Sequence, residues 1–210
     1  YTSGRISYPR TSSQKLPISL GYKKILQKLT KQPQFKNLAE ELLAKNELTP
    51  NEGEKTDPAH PAIYPTGLSF KGIGKTKDLY ELIVRRFLST FSDPAKRETV
   101  TVDIDVNKEI FIASGTRTIE KGWHKFYGRF AHYKEEELPK MEEGSEIKDK
   151  KIKIHEKETQ PPKRFTPASI IKELEKKNLG TKATRAQIID SLYQRHYVQD
   201  ISLKVTDLGL

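Results

Sequence analysis

The chain has no cysteine, which excludes disulfides, thiolate zinc sites and thiol nucleophiles. It carries one methionine and one tryptophan. No apolar run approaches the roughly 20 residues that a membrane helix needs, so a soluble, intracellular protein with no membrane partner is expected. Hydrophobic residues make up only 34% of the 210 positions, too few for one compact globule, and several small modules with much exposed surface are expected instead. No glycine-rich phosphate loop or other nucleotide motif is present. The sequence opens on Tyr1 rather than methionine and contains no signal-like apolar segment, so the chain is expected to be a piece of something longer. Acidic residues are the minority, 28 against 38 basic ones, for a formal charge of +10. That excess points to a polyanionic partner, because neutralising phosphates with Lys and Arg releases condensed counterions.

Against this background one short segment stands out. Arg5 to Ser13 reads Arg-Ile-Ser-Tyr-Pro-Arg-Thr-Ser-Ser, a tyrosine, two arginines and four hydroxyl side chains within nine residues. A phenol ordinarily ionises near pH ~10, so a nucleophilic tyrosine needs a neighbouring cation and a positioned phosphate. If Ile6 to Arg10 is extended, Tyr8 and Arg10 leave the backbone on one side, and Pro9 biases Tyr8 towards that conformation.

Two short amphipathic helices are predicted next, one on Tyr22, Ile25, Leu26 and Leu29, the other on Phe35, Leu38, Leu42 and Leu43. Their lysines, Lys23, Lys24, Lys28 and Lys31, form either a solvated face or a phosphate contact. Thr49 to Gly67 is a loop with the rigid centre His60-Pro61-Ala62-Ile63-Tyr64-Pro65-Thr66. A third helix is expected over Lys75 to Phe91 with Leu79, Leu82, Ile83, Phe87 and Phe91 on its inner face, ended by Asp93-Pro94. Arg85 and Arg86 on it are surface charges or DNA contacts. Alternation then takes over: Thr99–Val106 and Glu109–Ala113 flank Asn107-Lys108 as a hairpin, with Asp103 and Asp105 facing solvent. Further strands are expected over Trp123–Phe130 and Glu146–His155. After Pro161-Pro162, Thr166 caps a helix with Pro167 near its first turn, Gly180 turns the chain, and Thr181 or Thr184 starts a second helix. A strand over Tyr197–Val205 completes a winged-helix outline, which serves DNA contact or plain packing.

Three stretches together resemble the type IA DNA topoisomerases. Gly4 to Thr11 is similar to that family's active-site tyrosine segment. His60 to Thr66 resembles its His-x-Ala-Ile-x-Pro-Thr string, although Tyr64 stands where many members have arginine. Pro161 to Thr166 with Ser169, and Leu179 to Ala186, resemble its third segment in the form nearest archaeal and topoisomerase III-like enzymes. The resemblance implies an α+β multidomain fold, part of a toroid: a helical, winged-helix-like tyrosine domain (1–94), an antiparallel β-rich connector (95–160), and the start of a winged-helix-like gate domain (161–210). It implies single-strand cleavage through a 5′-phosphotyrosyl ester, with Tyr8, Arg10 and His60 catalytic and Thr11, Ser12, Arg164, Ser169, Lys182, Thr184 and Arg185 on the DNA. The family's Mg²⁺ is held by an acidic Toprim domain with no equivalent in these residues, so no metal site is expected here. Single-stranded DNA and that Toprim domain are the implied partners of a monomer found with the nucleoid in the cytoplasm, or in a nucleus. The alternative is a non-catalytic winged-helix DNA-binding protein.

Overall fold

The computed structural model describes residues 1–148 and 151–210. It divides into two compact units, Tyr1–Gly144 and Ser145–Leu210, and no helix among the described residues is long and apolar enough to cross a membrane.

In the first unit the helices α1 (Tyr22–Leu29), α2 (Lys36–Leu43) and α3 (Gly74–Thr90) build the core. Tyr22, Ile25, Leu26 and Leu29 are buried at the spacing of one helical face. They meet Phe35, the residue before α2, Ala39 and Leu42 of α2, and Tyr80, Val84, Phe87 and Leu88 of α3. The buried stripe of α3 is therefore rotated from the expected one: Leu79 is 55% exposed, and Tyr80, Val84 and Leu88 take the inner positions. A buried amide contact favours this, since Gln32 Nε2 lies 3.3 Å from the Tyr80 hydroxyl, which itself donates to Leu68 O at 2.7 Å.

Strands β1 (Lys96–Val106) and β2 (Glu109–Glu120) form an antiparallel hairpin whose register closes at Val106 opposite Glu109. Asn107 and Lys108 both have positive φ, 55° and 72°, the geometry of a two-residue turn whose twist matches the strands. Asp103 and Asp105 are exposed. A third segment adds to β2 through a Thr116–Glu136 bridge.

The strand expected over 123–130 is a helix. Gly122 and Gly128 both take positive φ and bracket α4 (Trp123–Tyr127), which a 3₁₀ turn at Gly128–Phe130 follows. His124 and Phe126 are buried, and Arg85 of α3 donates to Phe126 O at 3.2 Å. Packing against α3 thus overrides the strand preference of an aromatic-rich run.

The second unit holds α5 (Pro167–Lys176), α6 (Arg185–Gln194), β3 (Val198–Gln199) and β4 (Lys204–Val205), with the two strands antiparallel. Thr166 caps α5 reciprocally: its Oγ1 accepts from Ser169 N at 3.2 Å, and its own N–H donates to Ser169 Oγ at 2.8 Å. The single strand expected over Tyr197–Val205 is this short ribbon, folded around Asp200 in a left-handed conformation (φ 64°). Of the strand expected over Glu146–His155, the described residues are irregular, and 149–150 lie outside the described residues. Ile154, at 93% exposure, has no partner strand among the described residues.

Candidate nucleic-acid and phosphoryl-transfer site

The Tyr8 segment is held by a second loop, residues 60–66, that lies far along the chain. Ile6 and Pro65 form an antiparallel bridge. Around it, Ser7 N donates to Tyr64 O at 2.9 Å, Tyr64 N to Ser7 Oγ at 3.0 Å, and Thr66 N to Arg5 O at 3.0 Å. Further along, Thr11 Oγ1 donates to His60 O at 3.2 Å, and Ala62 N to Lys15 O at 2.8 Å. Neither loop forms a strand of its own, so each satisfies its backbone on the other.

This ladder sets Tyr8 beside His60. Their ring centroids are 4.6 Å apart at 44°, and Tyr1 packs edge-on against the other side of Tyr8 at 5.2 Å. Tyr8 is half-buried, and its hydroxyl makes no hydrogen bond among the described residues. Arg10 is exposed and forms no ion pair among the described residues. A phenol, an imidazole and an uncommitted guanidinium within one pair of loops can receive a phosphodiester and stabilise charge on it.

Other residues hold the loops. Ser12 donates to Asp57 Oδ2 from both N (3.4 Å) and Oγ (3.5 Å), and Asp57 Oδ1 accepts from Ala59 N at 3.1 Å. Glu52 accepts from Leu16 N and pairs with Lys15 at 3.5 Å. Sequence reasoning passed over both carboxylates; the Asp57-Pro58 pair, a turn former, was the available signal. Nearby, burial pushes the Tyr80 phenol up, with the Gln32 hydrogen bond and the Arg5 charge opposing it. Among the described residues no three His, Asp or Glu side chains converge, and the loop carboxylates Asp57 and Glu52 hold backbone N–H groups. These residues do not suit a Mg²⁺ ion, and no step below runs through one.

In the second unit, Arg164 is exposed ahead of α5, while the Ser169 hydroxyl is engaged in the cap of that helix. Lys182 and Thr184 lie at the entry to α6, where Thr184 Oγ1 accepts from Thr181 N at 2.9 Å. Arg185 turns back on its own loop, with Nε donating to Leu179 O at 2.9 Å and Nη2 to Gly180 O at 3.2 Å. Its role in the geometry is to fix the turn that presents Lys182.

Comparison with known proteins shows the family of the chain. The family model described as DNA topoisomerase matches residues 1–210. DNA topoisomerase 1 of Pyrococcus horikoshii is 49% identical over 214 residues, covering 100% of this chain and 31% of that protein. The Methanocaldococcus jannaschii protein of the same name is 52% identical over 213 residues, covering 100% and 28%. Human DNA topoisomerase 3-alpha is 36% identical over 198 residues, covering 94% and 20%. Among solved structures, full-length topoisomerase I from Thermotoga maritima matches with a TM-score of 0.72 at 27% identity, over 98% of this chain and 33% of that one. The chain belongs to the type IA DNA topoisomerase family. It spans between a fifth and a third of the length of these relatives.

Proposed function

We propose that this chain is the tyrosine-bearing part of an enzyme that cuts one DNA strand, holds the end covalently and reseals it. The Tyr8 oxygen attacks a phosphodiester phosphorus, the bond to the 3′ oxygen breaks, and the 5′ phosphate becomes esterified to Tyr8. The phenolic proton ends on the departing 3′ oxygen, so neither water nor a nucleotide triphosphate is consumed and the reverse reaction restores the strand. Arg10 neutralises the phosphate as charge develops, and His60 relays or steadies the proton. In-line positioning and charge stabilisation supply most of the rate in such transfers.

Thr11 and Ser12 border this site. Arg164 and Lys182 contact DNA, with Ser169, Thr184 and Arg185 holding the cap and turn beside them, on the reading that α5, α6 and the β3–β4 ribbon form a winged-helix module beginning near 161. Residues 95–160 link it to the tyrosine module in the parent enzyme, whose Toprim domain brings Mg²⁺. The observation that carries the proposal is the juxtaposition of Tyr8 and His60, ring centroids 4.6 Å apart, with the exposed Arg10, which forms no ion pair among the described residues, two positions along the same loop. The helix–turn–helix–ribbon order of the second unit also favours a simpler DNA-binding role, which would show as preference for a defined duplex sequence.

A chimera tests the chemistry. This chain replaces the matching segment of the Pyrococcus horikoshii relative and is mixed with a single strand labelled at its 3′ end. Label retained on denatured protein, and lost in Tyr8→Phe, is the expected result. An adduct that persists in Tyr8→Phe, or none with Tyr8 present, overturns the proposal.

A further inference from the structure

A second feature of the first unit involves none of the residues that bond the Tyr8 segment. At the C-terminal end of α3, where the chain leaves for the hairpin and returns into α4, an open cleft of about 440 Å³ is lined by Asn51, Arg86, Asp93, Pro94 and Trp123 among others. Its volume lies within the range of small-molecule sites.

Three donors in this cleft are uncommitted. Arg86 lies over the Tyr127 ring at 5.7 Å and makes no hydrogen bond or ion pair among the described residues. Its neighbours differ: Arg85 binds Glu81 at 2.7 Å and Phe126 O at 3.2 Å, and Arg129 binds Asp78 and Glu81. Asn51 is pinned through its backbone, N to Thr90 O at 2.7 Å, while its side-chain amide has no partner among the described residues. Trp123 is pinned likewise, N to Asp93 O at 2.9 Å, and its indole N–H is unpaired among the described residues.

The walls narrow the choice of ligand. Pro94 and Trp123 offer flat apolar surface, and Asp93, whose Oδ1 is 2.8 Å from Lys45, still places a carboxylate at the rim that disfavours a bare anion. A flat heteroaromatic ring with an acceptor atom on its edge and one attached phosphate suits this lining. The ring stacks on Trp123 and takes the Asn51 donor, and the phosphate meets Arg86; the in-plane indole N–H stays open to water. Duplex bases are stacked and hidden, whereas unpaired bases in single strands are held by aromatic stacking beside cations.

We infer that this cleft is a second single-strand site, taking one unpaired nucleotide of DNA at the base of the hairpin and using none of the residues of the Tyr8–His60 pair. The inference rests on the DNA reading above.

Trp123 is the only tryptophan in the 210 residues, so its fluorescence reports on this cleft alone. A 5′-fluorescein oligothymidylate of twelve residues is titrated with the 210-residue chain for anisotropy, and an unlabelled copy is used for tryptophan quenching. Quenching that tracks binding is expected. Arg86→Ala should need about tenfold more DNA for half-quenching, and Asn51→Ala several-fold more. An abasic strand with the same phosphates should not quench. Both variants are checked by far-UV circular dichroism, and Asn51→Ala decides alone if Arg86→Ala does not fold. A rise in anisotropy with unchanged tryptophan emission overturns the cleft and leaves the DNA reading standing. Neither signal overturns both, and an abasic strand that quenches equally overturns the base assignment.

Discussion

Gly122→Ala should do far more harm than a small surface change usually does. Gly122 has φ 43° and ψ −128°, a combination side chains rarely adopt, and a Cβ there would lie 2.4 Å from Pro94 O and 2.5 Å from Asp93 O. Those are backbone atoms of the outgoing connection from α3 to β1, and the Trp123 N–H bond to Asp93 O ties the returning connection to it. Neither side can move without pulling the hairpin from the helical core. Backbone strain of about 1–3 kcal/mol and forced overpacking of about 1–3 kcal/mol sum to roughly 4 kcal/mol at mid-range. At about 2–4 °C per kcal/mol for a protein of this size, the melting midpoint should fall by roughly 8–16 °C. Gly74→Ala is the control: its φ is also positive, 57°, but nothing lies within 4 Å of the added Cβ, so only a backbone cost of about 1–2 kcal/mol applies. Urea titrations followed by Trp123 fluorescence and far-UV circular dichroism compare the two. Equal midpoints for Gly122→Ala and Gly74→Ala would refute the reasoning.

Two further predictions concern stability. The imidazole of His124, buried and stacked on Tyr133 at 4.1 Å, has an unpartnered Nδ1 among the described residues. Burial first, and then the Arg97 charge, hold it below its usual range, against an opposing pull from Glu135. The unfolded chain then takes up the proton first, so folded stability is lost as pH falls below about 6.5. His124→Phe should flatten the melting profile between pH 7 and 5, and parallel profiles for the two proteins would rule this out. Thr166→Ala removes the Oγ1 acceptor of Ser169 N while leaving the backbone N–H bond to Ser169 Oγ, and should weaken that helix by about 1 kcal/mol, whereas Thr166→Ser should keep it. Amide exchange at Ser169 and Ile170 measures the difference, and unchanged protection in the alanine variant counts against it.

Much of the local structure was legible in the sequence because it depends on near neighbours. The apolar spacing of α1, the Asn107-Lys108 turn, and Thr166 followed by Pro167 each carry their own geometry within a few residues. The order of the three family segments was legible for the same reason, since each is a contiguous string. Contacts over long separations were not. Nothing local says that Tyr80 rather than Leu79 turns inward on α3; the Gln32 and Leu68 partners that favour it are 48 and 12 residues away. Residues 123–130 read as a strand by composition and fold as a helix because Gly122, Gly128 and α3 close around them.

The same division applies to the site. The sequence alone determined that a tyrosine, an arginine and a histidine occur in strings typical of one family, and that the chain is basic enough to seek a polyanion. Only the tertiary structure decided that Tyr8 and His60 face each other, because two loops without regular structure must satisfy their backbone groups on one another. It also decided that Arg185 hydrogen-bonds its own turn while Arg10 and Arg86 have no ion-pair partner among the described residues. Charge is written in the residue list, but its availability depends on which carbonyls and carboxylates the fold brings within reach.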